Sequence, residues 1–469
     1  MTTGAPAFPH RSFWSEDYGA YAPSLQLVGD TVTDVLIIGA GFTGLSAAIN
    51  LKLRDRALRV LVIEQEAVGF GASGRNSGWV WPNVATYHDI LVAHGVGTLR
   101  ETYAYARRAY EYVGGLVKEH GLDSEYRETG LLRPSVSPEY EKDRMEYAEF
   151  CEKLGRADMI SEMTESDVRN EYASPLFYKA LWDRELALIH PVRHARSLAK
   201  LARSLDAEIF EQTPAIEIVE EPHSVRVATP RAAIRADRVI LATNAYTHLL
   251  DMKTDRGLTR RERPVIAFNT VTRPLTEAEW TQLKWRKRNA IYTFGPASHF
   301  GNPTHDGRLH WCSDRFIGVP QGRAMGPEYD ARYNPTLKKQ TDMFFPCLRD
   351  AELTHHWGGP IAATIDRFFH VGELNGNGRV FLSIGCNGNG VSLTHLNGKI
   401  LADLVSDTKT ELTALWFVNR PTRLWPAPEI ATRAIHAFIS IEKWRAKRRA
   451  IKAGLRGLVE ESDWINAKS

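Results

Sequence analysis

The sharpest apolar pattern in the chain is Asp34-Val35-Leu36-Ile37-Ile38, a short β-branched run that predicts a buried strand. It ends in Gly39-Ala40-Gly41-Phe42-Thr43-Gly44, and beyond Leu45 the apolar residues Ala48, Ile49 and Leu53 recur at helical spacing. A second apolar run, Val60-Leu61-Val62-Ile63, stops at Glu64 with Gln65 beside it. Strand, glycine turn, helix and strand make a βαβ unit. In such a unit Gly39 permits the turn, Gly41 lets the backbone approach a pyrophosphate, and Gly44 lets the helix lie close on the strand. The free N–H groups at the helix start, with Phe42 and Thr43, then face the phosphates. Glu64 stands where a carboxylate accepts hydrogen bonds from a ribose diol, which argues against a 2′-phosphate. NAD and FAD both remain open on this evidence, because both carry the adenosine diphosphate half.

Further along, residues 99–120 and 138–154 read as amphipathic helices, the second with Ser137 as N-cap and Pro138 at its first position. Residues 129–133 between them read as a strand. Ile189-His190-Pro191 leads into a helix with apolar Val192, Ala195, Leu198, Ala202 and Leu205, and strands follow at 208–211, 216–220 and 225–229. Residues 237–245 form an apolar strand running into Ala242-Thr243-Asn244. Residues 264–272 and 309–316 read as strands of a large antiparallel sheet. Between them, 290–310 is rich in Gly, Pro, His and aromatics and reads as a long loop, a lid or a binding wall. Val380-Phe381-Leu382-Ser383-Ile384 precedes Gly385-Cys386-Asn387-Gly388-Asn389-Gly390 and a further helix. A glycine turn at a helix start offers amides and a positive dipole end to negative charge.

Composition narrows the field. The 469 residues suffice for two domains, and 43% hydrophobic with 25% charged content is that of an ordinary globular protein. A net charge of +3 gives a nucleic-acid role no support, and four widely spaced cysteines argue against a zinc site and for a reducing compartment. With no apolar leader and no run approaching ~18 apolar residues, no signal peptide or membrane span is expected, and cytoplasm is the default. Residues 435–459 read as a terminal helix with seven basic residues between Lys443 and Arg456. A solvated face of a packed helix is the plainer reading, and a surface-associating amphipathic helix the sharper one.

The glycine-rich loop Gly69-Phe70-Gly71-Ala72-Ser73-Gly74-Arg75-Asn76-Ser77-Gly78 separates the two cofactors, because no NAD dehydrogenase needs such a loop here. Its amides, Ser73 and Arg75 suit the flavin side of an extended FAD. Here the chain resembles the FAD-dependent amine and amino-acid oxidase family, the D-amino-acid oxidase and sarcosine oxidase superfamily. Within it the gamma-glutamylputrescine oxidase branch is nearest, with a G-A-S-G-R-N-G-G loop in which Ser77 here replaces a glycine. The strand ending at Asn244 resembles the family's second fingerprint. The last turn resembles G-x-S-G-H-G, with Asn387 and Asn389 replacing the serine and histidine, so the substrate does not carry over by analogy.

The resemblance spans residues 13–426 and implies an α/β fold, a Rossmann-like FAD-binding domain with a second α+β substrate domain built on a large antiparallel sheet. The FAD domain is expected at 31–110, 187–255 and 355–410, the substrate domain at 111–186 and 256–354, and a helical extension at 411–469. Expected FAD contacts are the residues of the first turn, Glu64 and Gln65, then Gly71, Ala72, Ser73, Arg75, Asn76, Ser77 and Gly78. Ile216, Thr243 and Asn244 follow from the return to the sheet, and Gly388, Asn389, Gly390, Val391, Ser392 and Leu393 from the last turn. The early loop has no histidine and Trp357-Gly358-Gly359-Pro360 no cysteine, so FAD is expected to be non-covalent, with Cys386 the one thiol nearby.

The implied reaction moves hydride from the carbon beside a neutral amine to flavin N5, hydrolyses the imine, and passes electrons to dioxygen to give hydrogen peroxide. Trp79, Trp311, Tyr292 and Trp357 are the candidates for an aromatic wall around an alkylamine. Arg315 or Arg367 would hold a carboxylate. His190, His356 and His395 are acid/base candidates, although such a histidine is more commonly a packing residue. Two other readings stand beside this one: a dehydrogenase that docks a quinone or carrier protein on its basic helix, and a flavin-binding component without catalysis.

Overall fold

In the computed structural model, which describes residues 12–84, 86–255, 257–313, 316–318 and 334–459, strand Thr31–Ile38 lies between two parallel neighbours. Val60–Ile63 pairs on one side and Ala233–Leu241 on the other. Glu208–Phe210 and Val380–Ile384 extend the parallel layer outward. Alternation sorts the side chains of these strands. Val35, Ile37, Val60 and Val62 join the core beneath helices Phe42–Arg54, Pro191–Ser204 and Gly390–Val405. Leu36, Ile38, Leu61 and Ile63 face the antiparallel ribbon of Glu217–Glu220 and Val225–Ala228. Burial on both faces is why these strands read as unbroken Val/Ile/Leu runs.

Because all five strands run the same way, the segments after Ile38, Ile63, Phe210, Leu241 and Ile384 leave from one edge. In open parallel sheets this carboxyl edge is where ligands bind. The turns at 39–44, 64–66, 211–215, 242–246 and 385–391 therefore converge.

The second sheet runs from Leu353–Ala363 through Arg263–Thr272, Leu309–Ser313, His299–Pro303, Ala290–Tyr292, Leu131–Pro134 and Ala180–Asp183 to Ile160–Met163. Neighbours are antiparallel except Ala290–Tyr292 beside Leu131–Pro134. Phe316–Gly318 also pairs with Arg263–Thr272. The fold is thus the Rossmann-like layer with a large, mostly antiparallel second sheet. Residues 290–310 depart from the expected loop: they hold two sheet strands, because Phe300 and Gly301 pair both with Ile291–Tyr292 and with the strand at 309–313.

Helix Tyr87–His120 is longer than predicted and bends at Gly95, whose φ is 80°. Pro138–Tyr140 is a 3-10 turn ahead of helix Glu141–Leu154 rather than its first turn. Helix Pro428–Lys452 is buried at Ala431 and Ala450 but leaves Ile430, Phe438, Ile441 and Trp444 exposed. Among the described residues no helix is long and apolar enough to cross a membrane, and no group of His, Cys, Asp and Glu could hold a metal ion.

Candidate functional site: a cavity at the carboxyl edge

The five converging turns line a cavity of ≈ 660 Å3. Gly39, Gly41, Phe42, Thr43, Glu64, Gln65, Gly71, Ala72, Ser73, Arg75, Asn76, Ser77, Thr243, Asn244, Gly388, Asn389, Gly390 and Val391 all border it. The first turn is tight in a way only glycine allows. A Cβ on Gly44 would lie 2.0 Å from the Gly39 carbonyl oxygen, so the helix sits directly on the strand end. Ser73 Oγ accepts a hydrogen bond from the Phe42 N–H at 3.0 Å and joins the two glycine loops.

The early loop is held from behind through its carbonyls. Ser12 Oγ donates to Gly74 O at 2.7 Å, Trp357 Nε1 to Arg75 O at 2.9 Å, and Trp14 Nε1 to Asn76 O at 2.9 Å. With the carbonyls taken on that side, the loop's inner face stays in one conformation. Arg75 is turned into the fold, donating Nε to Phe70 O at 2.8 Å.

The last turn explains its two asparagines. Asn387 has φ 46°, a left-handed conformation that asparagine tolerates better than most residues. Its side chain accepts from the Thr364 N–H at 3.2 Å and donates to Thr364 Oγ1 at 3.2 Å. Asn389 Oδ1 accepts from Asn83 Nδ2 at 2.8 Å, bridging this turn to the segment after the early loop. Helix Gly390–Val405 then begins on the cavity wall, with Gly390 and Val391 at its start.

Beyond the early loop the cavity widens into an aromatic chamber of Trp79, Trp81, Tyr147, Tyr292 and Phe300, with Arg133 among them. Trp79 meets Phe300 at 5.5 Å and Tyr292 at 6.2 Å, both edge-on. Trp79 Nε1 donates to Asn302 Oδ1 at 2.7 Å.

A family model described as FAD dependent oxidoreductase matches residues 34–404. The chain belongs to that family. It is 27% identical to the gamma-glutamylputrescine oxidoreductase of Escherichia coli K12 over 417 residues, 88% of this chain and 93% of that one. A probable oxidoreductase OrdL of Haemophilus influenzae is 26% identical over 373 residues, 79% of this chain and 82% of that one. The crystal structure of glycine oxidase from Geobacillus kaustophilus aligns with a TM-score of 0.70 at 20% identity, over 83% of this chain and 99% of that one, which shows the shared fold.

The cavity fits FAD. Glu64 accepts the Ala40 N–H at 2.9 Å and the Glu66 N–H at 3.1 Å, one on each oxygen, leaving further lone pairs for a diol. Gly41 and Gly390 keep the two facing turns free of side chains, and a Cβ on Gly41 would stand 2.9 Å from Ser73 Oγ. Burial pushes the Glu64 carboxyl up to about 7, against the pull of the two N–H donors. A ribose diol would favour the ionised form, so FAD affinity is expected to rise with pH up to about 7 and then level off. In Glu64→Gln the affinity should fall about 10- to 100-fold, and the pH dependence should vanish. Reconstitution of apoprotein followed by flavin fluorescence at pH 6 and 8 checks both; equal affinities in the two proteins would remove Glu64 from the site.

Other expected residues lie elsewhere. Ile216 is 52% exposed, and Thr213 and Ala215 border the cavity in its place. Gly78 has φ 74° and packs on the Ile189 carbonyl, while Ser392 exchanges hydrogen bonds with the Trp81 backbone and Leu393 is core. Trp311 is 1% exposed and packs on Phe344 and Phe345, so it belongs to the core under the second sheet and not to an aromatic wall. Trp357 is likewise buried and acts on the early loop from behind. Arg315 lies outside the described residues. Arg367 borders the cavity with its side chain largely in solvent.

None of the three candidate histidines reaches the cavity. His190 caps helix Pro191–Ser204 and pairs with Asp17 at 3.1 Å. His356 stacks on Phe268. His395 donates Nδ1–H to Val391 O at 2.6 Å, which leaves its Nε2 to accept from His194 Nε2–H at 2.9 Å; burial pushes its pKa down to about 4. It is a neutral strut. Asn83, Arg133 and Tyr147, by contrast, border the cavity without being expected there from the sequence.

Proposed function

We propose that the chain oxidises a C–N bond of an amine or amino-acid-like substrate, holds FAD without a covalent link, and hands electrons to dioxygen. The observation that carries this reading is the aromatic chamber opening off strand Trp79–Val80, which continues directly from the early glycine loop. Bound FAD supplies the acceptor for a hydride leaving the carbon beside nitrogen; water hydrolyses the imine to carbonyl and amine, and dioxygen becomes hydrogen peroxide.

The chain's own residues orient and exclude. Trp79, Tyr292 and Phe300 offer ring faces and edges to an apolar or cationic chain and shed water from it. The amides at the start of helix Gly390–Val405 would present the positive dipole end to negative charge on a bound flavin. No nucleophile is required of the protein. Cys386 Sγ accepts from Asn244 Nδ2 at 3.2 Å, a contact that supports a structural role for the thiol. Release of all flavin on acid precipitation is the expected result for a non-covalent cofactor.

Anaerobic mixing with alkylamines, N-methyl amino acids and gamma-glutamyl amines is expected to bleach the flavin band for one class, and air should restore it within seconds. If no compound bleaches the flavin, the substrate class falls. Slow recovery in air would favour the second reading, a dehydrogenase. The exposed Phe438, Ile441 and Trp444 on the basic helix Pro428–Lys452 support that reading as a docking surface for a quinone or carrier protein.

A further inference from the structure

Arg133 has no task in the reaction just described. It stands on strand Leu131–Pro134, is 5% exposed, and borders the aromatic chamber. Its Nε and Nη1 are buried without a hydrogen-bond partner, and no carboxylate among the described residues pairs with it. Rings surround the guanidinium instead, with centroids at 3.7 Å for Tyr147, 4.4 Å for Phe294, 5.2 Å for Tyr292 and 5.8 Å for Trp81. Ring faces attract the cation but do not take up its in-plane N–H groups. A buried charge is normally paired, as Arg156 is with Asp183 and Glu185 and Arg144 with Glu141 and Glu162; Arg263 is buried and unpaired among the described residues as well, but unlike Arg133 it does not border the cavity. Asp183, on the paired strand, gives its Oδ1 to Arg156 at 2.6 Å; its charge acts on Arg133 from a distance and makes no ion pair with it.

We propose that Arg133 receives a carboxylate of the substrate, in the planar two-pronged geometry that a guanidinium offers. Trp79 adjoins the early loop, Tyr292 lies against Trp79, and Arg133 lies against Tyr292. The carboxylate therefore sits one layer of rings away from the loop, and the substrate carries it several atoms from the oxidised nitrogen. A plain α-amino acid, with its carboxylate on the reacting carbon, does not span that gap. The rings hold the guanidinium in place before the ligand arrives, which lowers the ordering cost of binding.

The inference rests on the amine-oxidation reading for its substrate class, so its test has one arm that needs no turnover. Titration calorimetry of the holoenzyme with hexanoate and with hexanamide is expected to show about tenfold or tighter binding of the carboxylate. Equal binding by the wild-type protein overturns the proposal without any variant. In Arg133→Gln the difference should disappear, and in Arg133→Lys part of it should return. A preference that survives in Arg133→Gln also overturns the proposal. The second arm compares flavin reduction by ω-amino acids of rising chain length with their ω-amides; kcat/KM should favour the acids by about tenfold or more at one chain length. If calorimetry shows the preference and no amine reduces flavin, the anion site stands and the amine reading fails. If acids and amides reduce flavin alike, the reverse holds.

Discussion

Replacing Gly398 by alanine is expected to strip the protein of flavin and lower its stability by about 3 kcal/mol, although the residue does not itself border the cavity. Gly398 lies mid-way along helix Gly390–Val405, where that helix crosses Phe42–Arg54. A Cβ there would stand 2.5 Å from Thr43 O, 2.7 Å from Ser46 Cβ and 2.8 Å from the Ala47 nitrogen. Two of those atoms are backbone and cannot swing aside, so the helices must part. Both begin on the cavity, one carrying the first glycine turn and the other the last. Ser46 Oγ donates to His395 O at 2.6 Å and fixes their present spacing. Parting them displaces the two sets of helix-start amides relative to each other, and FAD affinity should fall on the order of 100-fold. Gly115→Ala, in helix Tyr87–His120 with nothing within 4 Å of the added carbon, is the control and should be neutral or slightly stabilising. Visible flavin content and thermal melts of both proteins decide the matter; a Gly398→Ala protein with full flavin and an unchanged melt would show that the crossing has slack.

The contrast between these two glycines also marks what was legible beforehand. The first βαβ unit, the early loop and the last turn were readable because their chemistry is local: a turn, a helix start and an acid within a few dozen residues. Gly398 left only a lone glycine in a helical pattern, and its partner is some 350 residues away in sequence. The strands at 290–292 and 299–303 were hidden for a related reason. Each is short, and each owes its existence to neighbours at 131–132 and 309–313 rather than to its own pattern. Reading 309–316 as a strand placed Trp311 on a sheet, but not on which face of it the side chain falls. Arg133 did carry a signal, a single charge in the otherwise apolar Leu131-Leu132-Arg133-Pro134, all four buried. A charge in such a strand normally calls for a buried partner or a ligand.

The chamber's support predicts the second large effect. Arg156→Met is expected to destabilise the protein by about 3–5 kcal/mol at neutral pH, and by progressively less as pH falls. Arg156 is buried, with Nη2 2.6 Å from Asp183 Oδ1 and 3.1 Å from Glu185 Oε2. Glu185 keeps other partners, the Tyr103 hydroxyl at 2.5 Å and Arg107 Nε at 2.9 Å. Asp183, fully buried, would lose its only ion-pair partner among the described residues. Burial already pushes the Asp183 carboxyl above the usual range against the pull of Arg156, and removing that guanidinium raises it further. The unfolded chains of the two proteins titrate alike, so the variant's deficit grows as pH rises from the raised folded value of Asp183 in the wild type toward the still higher one in the variant. Urea denaturation of both proteins at pH 5 and pH 8 measures it, and a deficit under about 1 kcal/mol, or one independent of pH, would refute the account. The chamber should register the change too. Arg156 Nη1 holds the Tyr147 hydroxyl at 3.2 Å, and Tyr147 is the ring nearest Arg133, at 3.7 Å. Freed from that bond, Tyr147 no longer keeps the Arg133 guanidinium in one orientation. Carboxylate binding in Arg156→Met should therefore weaken even where the protein remains folded, which ties the buried ion pair of the second sheet to what the chamber selects.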